Sequence, residues 1–249
     1  MATYISNAPV GAIILFVAAF LYSIALIAKH VKQAALDAGM TPARAGNIQL
    51  GVFVFYVIYL VYASVLSLKG VFSISSLPPR VFTLTTIPLT VILFAFIGNT
   101  GSFKKLLRSV RLESLIALHV FRVLGAFEII LYYYHLLHPG FAFSAGLGDI
   151  ITALLALPVA GWIAEGKPWS IKAARIWNIL GTLDIVTVLV LAVITARRSI
   201  IAGEQGDVEL TMFPFVWFPA FGPATILFLH TAVFRKLRQM KPVNKLACD

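Results

Sequence analysis

Seven runs of mainly apolar residues divide the chain, at 9–28, 48–68, 83–99, 114–138, 145–164, 175–196 and 212–232. A helix that crosses a bilayer needs about 20 such residues. The connections are short and leave no room for a soluble domain, so the pattern predicts one all-α membrane domain over residues 1–249, a seven-helix bundle. The third run is the shortest and holds Pro88. The opening segment MATYISNAPV lacks a basic stretch, so the first run reads as a retained helix and not as a cleaved signal.

Basic residues cluster after alternate runs. Lys29, Lys32 and Arg44 follow the first. Lys104, Lys105, Arg108 and Arg111 follow the third. Lys167, Lys172 and Arg175 follow the fifth, and Arg235, Lys236, Arg238, Lys241 and Lys245 follow the seventh. These are 15 of the 20 Lys and Arg residues. The other connections hold four, Lys69, Arg80, Arg197 and Arg198, and the last of them also carries Glu204, Asp207 and Glu209. Cytoplasmic loops are the ones enriched in Lys and Arg, which places the N-terminus outside and the C-terminus in the cytoplasm. The alternation survives only if the third run crosses.

The segment GSFKKLLRSVRL, 101–112, is basic and amphipathic. It is expected to lie along the cytoplasmic interface against anionic lipid headgroups, with a partner-binding helix as the alternative. Trp162, Trp177, Trp217 and the run Tyr132-Tyr133-Tyr134 fall near run ends, where aromatic side chains anchor helices at the interface.

Composition agrees with a chain immersed in lipid. Of 249 residues, 60% are hydrophobic and 12% charged, with a mean hydropathy of +0.93, whereas soluble domains are about a quarter charged. The net charge of +10 is spread over run ends and forms no single patch, which argues for membrane and against nucleic acid. The lone cysteine, Cys248, excludes a disulfide framework within the chain and a cysteine-based metal site. Multi-pass insertion in a plasma or inner membrane is the expected location.

The chemistry is concentrated in run 4, SLIALHVFRVLGAFEIILYYYHLLH, which holds His119, Arg122, Glu128 and His135. Ionisable groups at bilayer depth are costly and mark sites by default. At about 1.5 Å per residue the polar side chains of runs 4 to 7 fall into three levels. His119, Asn178 and His230 share the cytoplasmic level. Arg122, Glu128 and Asp184 share the centre. His135, His138 and Asp149 share the outer part. Arg122 and Asp184 match in depth and are expected to pair, either as a bridge locking runs 4 and 6 or as part of a ligand site in which Arg122 clamps an anion. Glu128 lies six residues beyond Arg122, on a different face if the helix is regular. Desolvation there favours a neutral, exchangeable carboxyl. Tyr132 and His135 lie four and seven residues on and extend an outward polar path, Glu128–Tyr132–His135, joined by Asp149.

Runs 1 to 3 hold no deep ionisable residue and read as scaffold or as the face of a homo-oligomer. His119 and His230, on different runs at one level, allow bis-histidine ligation of haem b. A metal held by His135, His138 and Asp149 is a further option, against the plainer reading of a helix cap. Pro214, Pro219 and Pro223 predict an irregular outer half of run 7, and Pro158 with Gly161 a second bend in run 5.

Run 7 has no lysine for a retinal Schiff base, and no serine-hydrolase, zinc-protease, P-loop or dinucleotide fingerprint occurs. An enzyme is therefore disfavoured. The first expectation is a transporter- or channel-like protein in which Glu128 and Asp184 accept a proton or cation. A haem-binding redox subunit is the second, and a non-catalytic assembly or receptor-like subunit the third.

Overall fold

The computed structural model describes residues 4–202 and 208–240. These are 84% helical, with no strand among them. Glu204, Asp207, Lys241, Lys245 and Cys248 lie outside the described residues. Seven helices are long and apolar enough to cross a membrane: α1 Val10–Asp37, α2 Pro42–Leu68, α3 Phe82–Asn99, α4 Leu112–Tyr133, α5 Pro139–Ala164, α6 Ser170–Ala202 and α7 Trp217–Gln239. A short helix, Gly101–Ser109, joins α3 to α4. The N-terminal segment and the connections before α3, α5 and α7 gather at one end of the bundle, called here the N-terminal face. The basic connections gather at the other, the basic face.

Helix boundaries differ from the apolar runs where capping chemistry outweighs hydropathy. α2 starts at Pro42, with Pro in the first turn and the Thr41 hydroxyl accepting the Arg44 N–H at 3.3 Å. α5 starts at Pro139, six residues before its expected start, because the His138 imidazole accepts the Gly140 N–H at 3.2 Å. α4 stops at Tyr133, short of the expected 138. His135 adopts a left-handed φ of 57°, and the amides of His135 and Leu136 return to the carbonyls of Tyr132 and Leu131. Those two bonds close the helix end in a Schellman motif.

Of the prolines inside helices, Pro88 and Pro223 each free a carbonyl four residues back that a hydroxyl from another helix takes. Pro88 leaves the Leu84 carbonyl of α3 without its helix donor, and the Tyr62 hydroxyl of α2 donates to it at 3.0 Å. Pro223 does the same to the Pro219 carbonyl of α7, which accepts from the Thr86 hydroxyl of α3 at 2.6 Å. α3 alternates π, α and 3₁₀ turns through Phe82–Asn99, with Pro88 near the start of its α segment. The outer half of run 7 is irregular over 212–216, as expected, but from Trp217 on it is helical. The helix begins at Trp217, so Pro214 lies before it, and Pro219 occupies the first turn, where the amide has no helix partner to lose. Only Pro223 interrupts the ladder.

α7 and α4 form the axis of the bundle, with 61% and 56% of their most apolar windows buried, against 11% for α6 at the edge. An aromatic core fills the half nearer the N-terminal face. Phe16 of α1 packs on Phe127 of α4 and on Phe215 and Phe218, with ring centroids 4.7–5.2 Å apart. Two tryptophans expected at the interface are inside instead. Trp177 donates to the Thr152 carbonyl at 3.0 Å and Trp217 to the Ser64 hydroxyl at 2.8 Å, so each indole N–H is satisfied where it is buried. The Ser6 amide donates to the Phe213 carbonyl at 2.9 Å and the Phe213 amide to the Tyr4 carbonyl at 3.1 Å, which ties the N-terminal segment to the connection before α7. Glu209 is buried beside them, and burial pushes its carboxyl above the usual range, against the Ser6 hydroxyl and the Asn7 amide.

Candidate functional site

The backbone of α4 decides which side chains meet. Its middle, Leu118–Gly125, is wound as a 3₁₀ helix. Three residues per turn align positions three apart, so His119, Arg122 and Gly125 form one stripe. Going from Arg122 to Glu128 then leaves the two side chains roughly 60° apart, instead of roughly 120° in a regular α-helix. The expected separation of Arg122 and Glu128 onto different faces is corrected for this reason.

Arg122 is 1% exposed and joins four helices. Its Nε donates to Asp149 Oδ1 at 2.8 Å, and its Nη2 lies 2.6 Å from the same oxygen and against Asp184 Oδ2. Its Nη1 donates to the Gly181 carbonyl at 3.3 Å and to His230 Nε2 at 3.0 Å. Arg122 therefore meets Asp184 and also Asp149, which had been placed in the outer level with His135 and His138. The early start of α5 explains the difference: Asp149 lies ten residues into its helix, not four. All three guanidinium nitrogens are spent inside the protein and the side chain is fully enclosed. The anion-clamp role expected for Arg122 does not fit this geometry.

Below the ion cluster, towards the basic face, His119, Asn178 and His230 come together. Arginine has only donors, so His230 Nε2 must be the acceptor and Nδ1 carries the proton, which it gives to Asn178 Oδ1 at 2.8 Å. Asn178 Nδ2 returns a bond to the His230 carbonyl at 3.1 Å. His119 donates from Nδ1 to the Leu115 carbonyl at 3.1 Å, and its buried Nε2 has no hydrogen-bond partner among the described residues. The His119 and His230 rings lie 4.4 Å apart between centroids. Two imidazoles on opposite sides of one iron, each bonded at about 2 Å, stand more than about 6 Å apart with a macrocycle between them. The pair does not fit haem b, and His230 Nε2 is already occupied. No cluster of three His, Cys, Asp or Glu suited to a metal occurs among the described residues, and His138 is a helix cap.

A cavity of about 200 Å³ opens at the N-terminal face and reaches Glu128 and Asp149. Its wall on α6 runs from Ile185 to Ile200, about 22 Å along the axis. Ile185, Val188, Leu189 and Ile226 make the deep part apolar, while Ser73, Ser75, Arg80 and Ser199 surround the mouth. The expected path through Tyr132 and His135 is corrected. Neither lines the cavity; Tyr132 packs on Tyr133 and Phe143, and His135 is exposed at the helix end. The opening runs instead between α3, α5, α6 and α7.

Glycines admit the charges. A Cβ at Gly148 would overlap the Asp184 carboxylate, one at Gly125 would stand 2.5 Å from the Asp149 Cβ, and one at Gly181 would stand 2.6 Å from the His230 ring. The apolar pattern does not mark these glycines. Their signal was present as spacing: Gly125 follows Arg122 by three, Gly148 precedes Asp149, and Gly181 precedes Asp184 by three.

Residues 79–238 match a family model described as "Domain of unknown function (DUF8737)". The match covers well over half the chain and takes in α3 to α7, which supply every side chain of the ion cluster. No curated protein and no solved structure matches the chain.

Proposed function

The chain belongs to the DUF8737 family, and we propose that it is a multi-pass membrane protein that admits protons or a small cation from its N-terminal face. The single observation that carries this reading is the floor of the cavity, lined by Glu128 and Asp149, where Asp149 shares the buried Arg122 guanidinium with Asp184. One buried arginine is shared by two carboxylates, Asp149 and Asp184, so that pair carries one negative charge in excess. The excess is met by protons or by a bound cation, because uncompensated charge in a poorly hydrated interior costs several kcal/mol. Glu128 and Asp149 are then the accepting groups, Asp184 shares the arginine, and Arg122 holds the carboxylates in place. The skew of basic residues supports an external N-terminal face and a cytoplasmic C-terminus, in a plasma or inner membrane.

A second reading has support in the saturation of Arg122: the cluster is a brace that locks α4, α5, α6 and α7 in an assembly or receptor-like subunit. Flux separates the two. Purified protein in vesicles loaded with a pH-sensitive dye is expected to collapse an imposed proton gradient, or one of Na⁺ or K⁺, faster than empty vesicles. Folded protein that moves none of the three would leave the brace.

A further inference from the structure

A second cavity lies between α1, α2, α3, α4 and α7, near the basic face. It measures about 260 Å³ and is walled by Val31 and Ala34 of α1, Val52 and Phe55 of α2, Leu93 of α3 and Leu229 of α7. Polar atoms reach it only from a few side chains such as His30, Thr100 and Ser114. Along α1 its wall extends from Ile27 to Ala34, about 10 Å, which compares with about 15 Å for the hydrocarbon depth of one leaflet. An apolar void of this size forfeits dispersion contacts on every wall unless something apolar fills it.

The short helix Gly101–Ser109 forms the edge of this cavity. Phe103, Leu106, Leu107 and Val110, at helical spacing, face it. Lys104, Lys105 and Arg108 point the other way and are exposed. None of these three forms an ion pair among the described residues, whereas nearby Arg111 pairs with Glu113. Lys236 of α7 donates to the Arg108 carbonyl at 2.6 Å and fixes the end of the helix against the bundle. One helix thus carries an apolar face on a chain-sized cavity and a triple cationic face beside it.

We propose that this is a binding site for one anionic phospholipid, with an acyl chain in the cavity and the phosphate on Lys104, Lys105 and Arg108. The proposal rests on the reading of the seven helices as membrane-spanning. Charge complementarity selects the headgroup, since each basic side chain near an anionic surface favours it and the three act together. The apolar walls select hydrocarbon over any polar ligand. The site is separate from the Glu128 cavity and needs none of its residues.

The test is native mass spectrometry of the full chain in detergent. Delipidated protein is mixed with phosphatidylglycerol or phosphatidylcholine at equal concentration. One phosphatidylglycerol per chain is expected to be retained, with preference over phosphatidylcholine of at least about tenfold. Replacing the three exposed cations, Lys104→Gln with Lys105→Gln and Arg108→Gln, should erase the preference and leave thermal stability unchanged. Ala34→Phe, which fills the cavity, should lower retention of both lipids. Equal retention of the two lipids by the native chain, or a preference that survives the triple substitution, overturns the proposal. A chain that needs detergent but keeps no lipid overturns it alone; a chain soluble in plain buffer overturns the membrane reading on which it rests.

Discussion

Arg122→Gln is expected to destabilise the protein by about 3–5 kcal/mol, the usual cost of removing one partner from a buried ion cluster. The substitution leaves Asp149 and Asp184 facing each other without a cation, and it strips the donors from His230 Nε2 and the Gly181 carbonyl. Four helices meet at this one side chain, so the loss should appear in global thermal unfolding in detergent and not as local fraying. Arg122→Gln combined with Asp184→Asn should recover part of the stability, and adding Asp149→Asn should recover more, because each step removes a charge that the arginine had balanced. Non-additivity is the signature of shared contacts. Losses that simply add across the three positions would show that the cluster is not one electrostatic unit.

Glu128→Gln is expected to give the opposite profile: a folded protein without function. The side chain is 5% exposed at the foot of the cavity, and glutamine keeps its size and hydrogen-bonding capacity while removing the exchangeable proton and the charge. Stability should stay within about 1 kcal/mol of the native chain, since the change is isosteric and Arg122 keeps both aspartates. Flux in the vesicle assay, with its dependence on pH, should fall to the level of empty vesicles. Undiminished flux in a folded Glu128→Gln protein would remove this residue from the path and leave Asp149 as the accepting carboxylate.

The seven long apolar helices were legible because a 20-residue apolar run has few other fates, and all seven appear with centres within about six residues of those expected. Depth counting also brought His119, Asn178 and His230 to one level and Arg122 to Asp184. It failed where the backbone was not a regular helix or where a cap moved a boundary. The 3₁₀ turn of Leu118–Gly125 swings Glu128 towards the arginine stripe, and no apolar pattern reports that winding. The cap at His138 draws Asp149 down to Arg122, although the hydropathy of α5 rises only some residues later. The wall of the cavity was the least visible part. It depends on which apolar faces turn towards one another, and Val188 or Phe218 looks in sequence like any residue bound for lipid. The glycines beside Asp149 and Asp184 could have been found, since a missing side chain next to a buried charge leaves room for that charge.

The proposed function requires a water-accessible path from the N-terminal face to the carboxylates inside the bundle. Val188 lines the deep part of the cavity one helical turn from Asp184, while Leu183 sits on the exposed apolar face of the same helix. With Cys248 replaced by Ser, a single cysteine is placed at Val188 or at Leu183, and a charged, membrane-impermeant methanethiosulfonate is added to one side of sealed vesicles at a time. The Val188→Cys protein is expected to react only from the N-terminal face, and the Leu183→Cys protein from neither. A Val188 cysteine that resists the reagent from that face, or that reacts only from the basic face, would contradict the account.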